Sequence, residues 1–290
     1  MIYLRTAAPE ETLRAESTPA KLLMFKDREP SRAFLILENM TCIGRASLTA
    51  DGLGHVLVLT EFKEEVSSDL IHHAFAITAN EAIRSYHPTD LYACSDDLRM
   101  KAIFPRNLFY PKGEVFRRTV EEWRYLIPDS CFDREGYLID QGRMNRLPFG
   151  RFSTKDKGCG WIAAYNILKL NGHEQTMKET AYGLSRFDPT GELFGENYFK
   201  LFLYLRRKGL PVKAAFGRKA AAQKMPASKN GILLYSRKPG SHYCAYRIRH
   251  DGSIYIFNAV YGKPSHRMDI DTFLSQYAKG FKVMLLYIAP

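Results

Sequence analysis

No apolar run in this chain approaches the length of a membrane span, which argues against a helix-anchored membrane protein. The opening Met1-Ile-Tyr-Leu-Arg5 has no apolar signal region, and Glu10 and Glu11 follow soon after. Cysteine is sparse. The five, Cys42, Cys94, Cys131, Cys159 and Cys244, are odd in number and irregularly spaced, which suits a reducing cytoplasm better than a disulfide framework. No pair forms C-x-x-C, so a structural zinc site is not expected, and neither a metal nor a cofactor is called for. There are no internal repeats or low-complexity segments; Ala220-Ala-Ala222 is too short to count. None of the familiar nucleic-acid motifs is present and the basic residues are scattered, so nucleic acid is not the expected partner.

What is present is a globular composition, 46% hydrophobic, over 290 residues, long for one domain and comfortable for two. The net charge of +11 is uneven. Residues 1–130 hold 16 Lys+Arg and 19 Asp+Glu, and residues 131–290 hold 26 and 12. That asymmetry supports two domains and predicts that the basic C-terminal half attracts acidic partners.

Residues 2–5 alternate as a short strand, and Ala8-Pro-Glu-Glu-Thr-Leu opens a helix with Pro9 and two acids in its first turn. Strands are predicted over 33–38, 42–49 and 55–59, with turns at Asn39-Met40 and Asp51-Gly52. A helix follows from about Ser67 to Ser85, then a strand over 91–94, a short helix capped by Asp96-Asp97, and a strand over 114–118. His72 and His73 lie within the long helix and read as surface or packing residues.

This order resembles the GNAT-type acetyltransferases over roughly residues 1–125. I-Y-L-R-T-A-A-P-E-E is similar to their first strand and helix, T-C-I-G-R-A-S-L to their central hairpin, and N-L-F-Y-P-K-G-E-V-F to their closing aromatic–Gly segment. That family grips the pyrophosphate of acetyl-CoA with backbone N–H groups of a glycine-rich turn before the long helix. The matching stretch here is Lys63-Glu-Glu-Val-Ser-Ser68, with Val66 and Ser68 at the glycine positions and Glu64 and Glu65 where phosphates would sit. The resemblance therefore implies a degenerate, non-catalytic module over residues 1–127.

Residues 125–150 are rich in turn formers and read as a junction; Cys131 falls there with no His or Asp motif around it. Helices are then predicted over about 159–170, 173–187 and 196–208, with a turn at Asp188-Pro-Thr-Gly191. Strands follow over 212–216, 231–236, 242–249, 254–258 and 281–288, two of them joined by a hairpin at His250-Asp-Gly. Helices first and an antiparallel sheet afterwards make an α+β domain over residues 128–290.

The stretch G-C-G-W-I-A-A-Y-N-I-L-K-L-N-G, from Gly158 to Gly172, carries the chemistry. It places Cys159 in the first turn of a buried helix, where unpaired N–H groups and the helix dipole bias a thiol toward thiolate. Gly158 and Gly160 suggest room for a substrate beside the backbone. His242, in G-S-H-Y-C-A-Y-R-I, starts a strand, and Asn258, in S-I-Y-I-F-N-A, ends its partner. A cysteine nucleophile needs a base, and the base needs a third group to fix its tautomer. Cys159, His242 and Asn258 supply all three in that order.

These segments resemble the papain-like cysteine peptidases over about residues 145–290, especially the small bacterial branch related to bacteriocin leader-processing peptidases. Chains joining a GNAT-like module to such a peptidase are a known bacterial combination. The family usually places a Gln six residues before the Cys as an oxyanion donor; here that position is Ser153, and Ser153, Thr154 or a backbone N–H is the candidate substitute, with the Cys159 N–H helping to bind the oxyanion. The resemblance implies a cysteine hydrolase acting on a peptide or amide, and the basic balance of the C-terminal half predicts an acidic peptide or protein as its substrate. An acyltransferase using the same triad, or a binding module without chemistry, is the alternative.

Overall fold

The computed structural model describes residues 2–8, 11, 25, 28, 30–113, 115–173, 175–185, 197–237, 240–249, 251–260, 263–276, 278 and 282–289. The expected helix from Ala8 and the turn at 188–191 fall largely outside them. The chain divides into two compact units, Met1–Glu122 with Arg134–Gly136, and Trp123–Asp133 with Tyr137–Pro290.

The first unit is a seven-stranded mixed sheet. Its elements in chain order are β1 (Ile2–Thr6), β2 (Arg32–Glu38), β3 (Thr41–Ala50), β4 (His55–Phe62), α1 (Ser68–Tyr86), β5 (Asp90–Ala93), α2 (Leu98–Ile103), β6 (Tyr110–Lys112) and β7 (Val115–Thr119). The strand order is β1-β2-β3-β4-β5-β7-β6. Only β4 and β5 run parallel, because α1 carries the chain back across the sheet between them. Ser67 caps α1 by accepting the Leu70 N–H, Asp69 and Arg84 complement the helix dipole, and His87 ends it in the left-handed conformation. The stripe Ile71, Ala74, Phe75, Ala79, Ala82 and Ile83 is buried with Phe34, Ile36, Leu48 and Val58 of the sheet. His72 is a packing histidine, buried with its Nδ1 3.0 Å from the Asn107 amide. His73 is half-buried, with Nδ1 2.6 Å from Glu135.

The second unit opens with α3 (Trp123–Leu126), β8 (Pro148–Phe149), β9 (Phe152–Ser153), α4 (Thr154–Lys157), α5 (Cys159–Leu170), α6 (Met177–Ser185) and α7 (Tyr198–Arg207). There follow β10 (Val212–Phe216), α8 (Arg218–Lys224), β11 (Asn230–Arg237), β12 (Gly240–Ile248), β13 (Ile254–Val260), β14 (Lys263–Met268), α9 (Ile270–Gln276) and β15 (Val283–Ile288). The six long strands form an antiparallel sheet in the order β10-β15-β11-β12-β13-β14. Alternation along each strand divides the side chains between two cores. Ile232, Leu234, Tyr243, Ala245 and Phe257 join α5, α6 and α7 on one face. Leu233, Tyr235, Cys244, Tyr246 and Ile256 join Ala221 and Met225 from the α8 side and Phe273 and Leu274 of α9 on the other.

Two expectations are corrected. The sheet is covered on both faces, because α8 and α9 lie between the strands in sequence rather than ahead of them. The presumed junction is core. Trp123, Ile127, Cys131, Tyr137, Leu138, Met144 and Leu147 are buried against α5 and its neighbours. Trp123 meets Trp161 edge-on at 6.0 Å between centroids. Asn166, fully buried in α5, accepts the Leu138 N–H at 2.9 Å and donates to its carbonyl at 2.7 Å. That pair satisfies both main-chain polar groups of Leu138, which lies in an isolated antiparallel bridge with Phe132.

Candidate active site

The approach to Cys159 is a tight helical turn. Thr154 opens α4, is fully buried, and accepts the Trp161 indole N–H on Oγ1 at 3.3 Å. Gly158 donates its N–H to the Thr154 carbonyl at 2.8 Å and leads directly into α5. A Cβ on Gly158 would lie 2.6 Å from that carbonyl oxygen and from Thr154 Cγ2, and 2.7 Å from Trp161 Nε1. Packing beneath the turn therefore requires this glycine, and the expectation that it opens the backbone to a substrate is corrected.

Cys159 is the first residue of α5, is half-buried, and packs against the α5-side core. The chief sheet partner of α5 is β12. In that strand the Cys244 thiol is pushed up chiefly by burial and, secondarily, by Cys159. Cys131 is buried and its thiol is pushed up to about 12, again chiefly by burial.

His242 stands two residues before Cys244, in register with Tyr235, and the two rings meet edge-on at 5.8 Å. Its Nε2 lies 2.6 Å from the main-chain oxygen of Asn258. A carbonyl oxygen only accepts, so Nε2 carries a proton and the neutral ring keeps its lone pair on Nδ1. Along β12, Tyr243 and Ala245 enter the α5-side core while Cys244 and Tyr246 enter the other. The imidazole rests on Tyr235, a member of the second core.

Asn258 lies within β13, two residues before its end rather than at it as the sequence suggested, where pairing to β14 shifts register between Phe257 and Val260. Its φ of 56° is a left-handed conformation that Asn tolerates better than most residues. The third group expected to fix the His242 tautomer meets it through its main-chain carbonyl and not its side chain. The carboxamide is engaged elsewhere. Its Oδ1 accepts the Gln141 N–H at 3.0 Å, and its Nδ2 donates to Gln141 Oε1 at 3.1 Å. Gln141 Nε2 in turn donates to the carbonyls of Thr154 at 2.9 Å and Lys155 at 2.8 Å. Gln141 was invisible to motif reading, being 117 residues from its partner. The only local signal is Asp140, which caps the single turn Gln141–Arg143 through the Gly142 N–H.

Ser153, the oxyanion candidate, precedes α4 and donates its hydroxyl to Asp156 at 2.6 Å. That proton is already committed within its own turn. Among the described residues no group of three or more His, Cys, Asp or Glu is placed to hold a metal ion.

In the first unit, three carbonyls of the turn before α1 accept from one side chain. Arg99 Nη1 donates to the main-chain oxygens of Lys63 at 3.2 Å, Glu64 at 2.8 Å and Val66 at 3.1 Å. Asp97 holds the other edge of the guanidinium through Nε and Nη2. The Arg99 guanidinium thus ties the main chain of this turn to Asp97.

No family model matches the chain, and no curated protein does. Among solved structures, one similar in part is a protein from Sphaerobacter thermophilus described as a presumptive acetyltransferase. It is 10% identical, covers 41% of this chain and 94% of that one, and has a TM-score of 0.30. Another, a domain from Methanocaldococcus jannaschii, is 12% identical, covers 41% and 99%, and has a TM-score of 0.31.

Proposed function

We propose that the second unit is a papain-like cysteine hydrolase that cleaves a peptide or amide through an acyl-enzyme on Cys159. One observation carries the reading: His242 donates Nε2–H to a fixed carbonyl, which leaves Nδ1 as the basic nitrogen. In the proposed reaction the Cys159 sulfur attacks the substrate carbonyl and its proton passes to His242 Nδ1. The imidazolium then protonates the departing amine, and water, activated by the same nitrogen, releases the acid. Asn258 holds the ring in the required tautomer through its main-chain oxygen. The reading requires Nδ1 to meet the Cys159 sulfur at the end of β12, and the packing of α5 on that strand supports it. The basic balance of residues 131–290 favours an acidic peptide as substrate.

Acyl transfer from a thioester to an amine is the second reading, and the Ser153–Asp156 hydrogen bond favours it. Without that hydroxyl the oxyanion loses one donor, worth on the order of 10²–10³ in rate, which an activated thioester tolerates better than an amide does. Incubation with a peptide p-nitroanilide and with an acyl thioester, followed by intact-mass detection of acyl-Cys159, separates the two. Absence of any acyl-enzyme from either donor would overturn both.

For the first unit we read a GNAT-like module without acetyl transfer. The order of elements around the parallel β4–β5 pair supports the likeness, and the Lys63–Ser68 turn, with no glycine and with Glu64 and Glu65 in it, supports the lack of acetyl-CoA binding.

A further inference from the structure

The residues around His242 form a chain of hydrogen bonds in which one member has no counterpart in the expected triad. Gln141 is buried and uses all of its side chain. Both amide protons go to successive carbonyls of α4, at 2.9 Å and 2.8 Å, and its oxygen receives Asn258 Nδ2 at 3.1 Å. Its main-chain N–H occupies the remaining end of the Asn258 carboxamide, at 3.0 Å. Asn258 is thus held at both ends of its side chain by one residue. It is also one of the five described non-glycine residues with positive φ. That backbone state costs a non-glycine residue on the order of 1 kcal/mol and persists only where surroundings impose it. In it the Asn258 carbonyl meets His242 Nε2 at 2.6 Å, beside the register shift in β13.

We propose that Gln141 is a positioning residue for His242: by clamping Asn258 in its left-handed conformation it aims the Asn258 carbonyl at Nε2 and so fixes which imidazole nitrogen is basic. The assignment to catalysis rests on the Cys159–His242 reading above; the clamp itself does not. Gln141 also reaches the turn that leads into Cys159, because its two acceptors belong to Thr154 and Lys155, at the start of α4. One side chain therefore references the base to the peptide turn that delivers the nucleophile. The carboxamide is suited to this because it donates twice and accepts at once. A carboxylate at position 141 would face two carbonyl oxygens without a donor, and a shorter side chain would not span the gap.

The test is nitrogen-15 NMR of the full-length protein with labelled histidine, read together with Cys159 labelling. At about pH 10, where a thiolate–imidazolium pair has lost its imidazolium proton, wild type is expected to show neutral His242 as the Nε2–H form. Gln141→Ala is expected to mix the two tautomers and to slow Cys159 alkylation at pH 5 by about tenfold, the scale of one lost hydrogen bond. Asn258→Gly, which keeps the carbonyl and accepts positive φ but removes the clamped side chain, should show the same mixing in a fold that tolerates it. Gln141→Glu should fail to restore the wild-type form. Wild-type His242 in the Nδ1–H form, or an unchanged tautomer in both Gln141→Ala and Asn258→Gly, would overturn the proposal. These spectra decide the clamp whether or not Cys159 reacts. A wild-type Cys159 whose labelling ignores His242→Ala would instead sink the hydrolase reading while leaving the clamp standing.

Discussion

Cysteine alkylation as a function of pH gives the sharpest test of Cys159. An ordinary thiol, ionising near pH 8.5, is about 1% thiolate at pH 6.5 and about 0.03% at pH 5. A thiol paired with an imidazolium at a helix N-terminus ionises about four units lower and stays largely thiolate at both. The gain in thiolate at pH 6.5 is therefore ~100-fold. A more acidic thiolate is also a poorer nucleophile, and with the slope of thiol exchange, about 0.4–0.5, four units remove roughly 40–100-fold. At pH 6.5 the two effects nearly cancel. At pH 5 the thiolate gain is about 2,500-fold, and a net advantage of roughly 20–60-fold survives. The useful quantity is thus the pH profile rather than one rate. Burial supplies references within the same chain. Cys131, pushed up to about 12, and Cys244, raised by full burial, should remain silent in the native protein. Cys94 is raised by burial and then by Asp96, so its rate should fall about tenfold per unit of pH. Brief labelling with iodoacetamide from pH 8 to pH 5, followed by peptide mapping, reads all five cysteines at once. Cys159 should hold a nearly level rate, and His242→Ala should restore the tenfold-per-unit fall. A wild-type Cys159 that already falls tenfold per unit, or one indifferent to His242→Ala, would refute the nucleophile.

Three further outcomes follow from the geometry. Gly158→Ala should destabilise the chain by roughly 2–3 kcal/mol in denaturant melts, because the new methyl meets Thr154 and Trp161 below 3.0 Å; a loss under 0.5 kcal/mol would show that the turn can yield. Burial would raise the Asp90 carboxyl, but hydrogen bonds from Arg117 and Thr119, with the charge of Arg117, hold it below the usual range. Such a group adds stability above its unfolded value, near pH ~4, and loses it as pH falls through the folded one. Asp90→Asn should therefore lower the melting temperature at pH 7 and barely change it near pH 2; equal losses at both would contradict this. Isothermal titration of the full chain with acetyl-CoA should show no binding at micromolar concentrations, and a micromolar dissociation constant would refute the role given to Glu64, Glu65 and the glycine-free Lys63–Ser68 turn.

The regular elements were legible because their burial is periodic. The strands expected over 33–38, 42–49 and 55–59 lie inside β2, β3 and β4, and the helix from Ser67 to Ser85 is α1 within a residue at each end. What escaped lacks periodicity. β14, K-P-S-H-R-M, is an edge strand with a proline and no alternation of apolar residues. α8 buries only Ala221, so its helical face carries almost no hydrophobic signal. The segment from Trp123 to Phe149 buries large side chains through single turns whose spacing follows neither strand nor helix, and its Pro, Asp and Gly residues read as linker. At the candidate site, Cys159, His242 and Asn258 could be named from local patterns. The use of the Asn258 carbonyl could not, because it depends on one backbone angle. Gln141 could not either, because its partners are set by tertiary folding.

The place of β15 in the sheet bears on how the second unit is made. It is the last strand of the unit to be synthesised, yet it lies between β10 and β11 and is hydrogen-bonded to both. Leu285 and Leu286 fill opposite cores, and both are fully buried. While the ribosome is still making residues before 283, β10 has no neighbour and β11 has an open edge. The cores on both faces of the sheet then lack their central residues. Closure must span some 70 residues of chain between Val212–Phe216 and Val283–Ile288, a long-range pairing of the kind that folds slowly. The nascent unit is therefore exposed to self-association until its final strand leaves the exit tunnel. A stop codon a few residues before Val283 should abolish the whole unit rather than trim it.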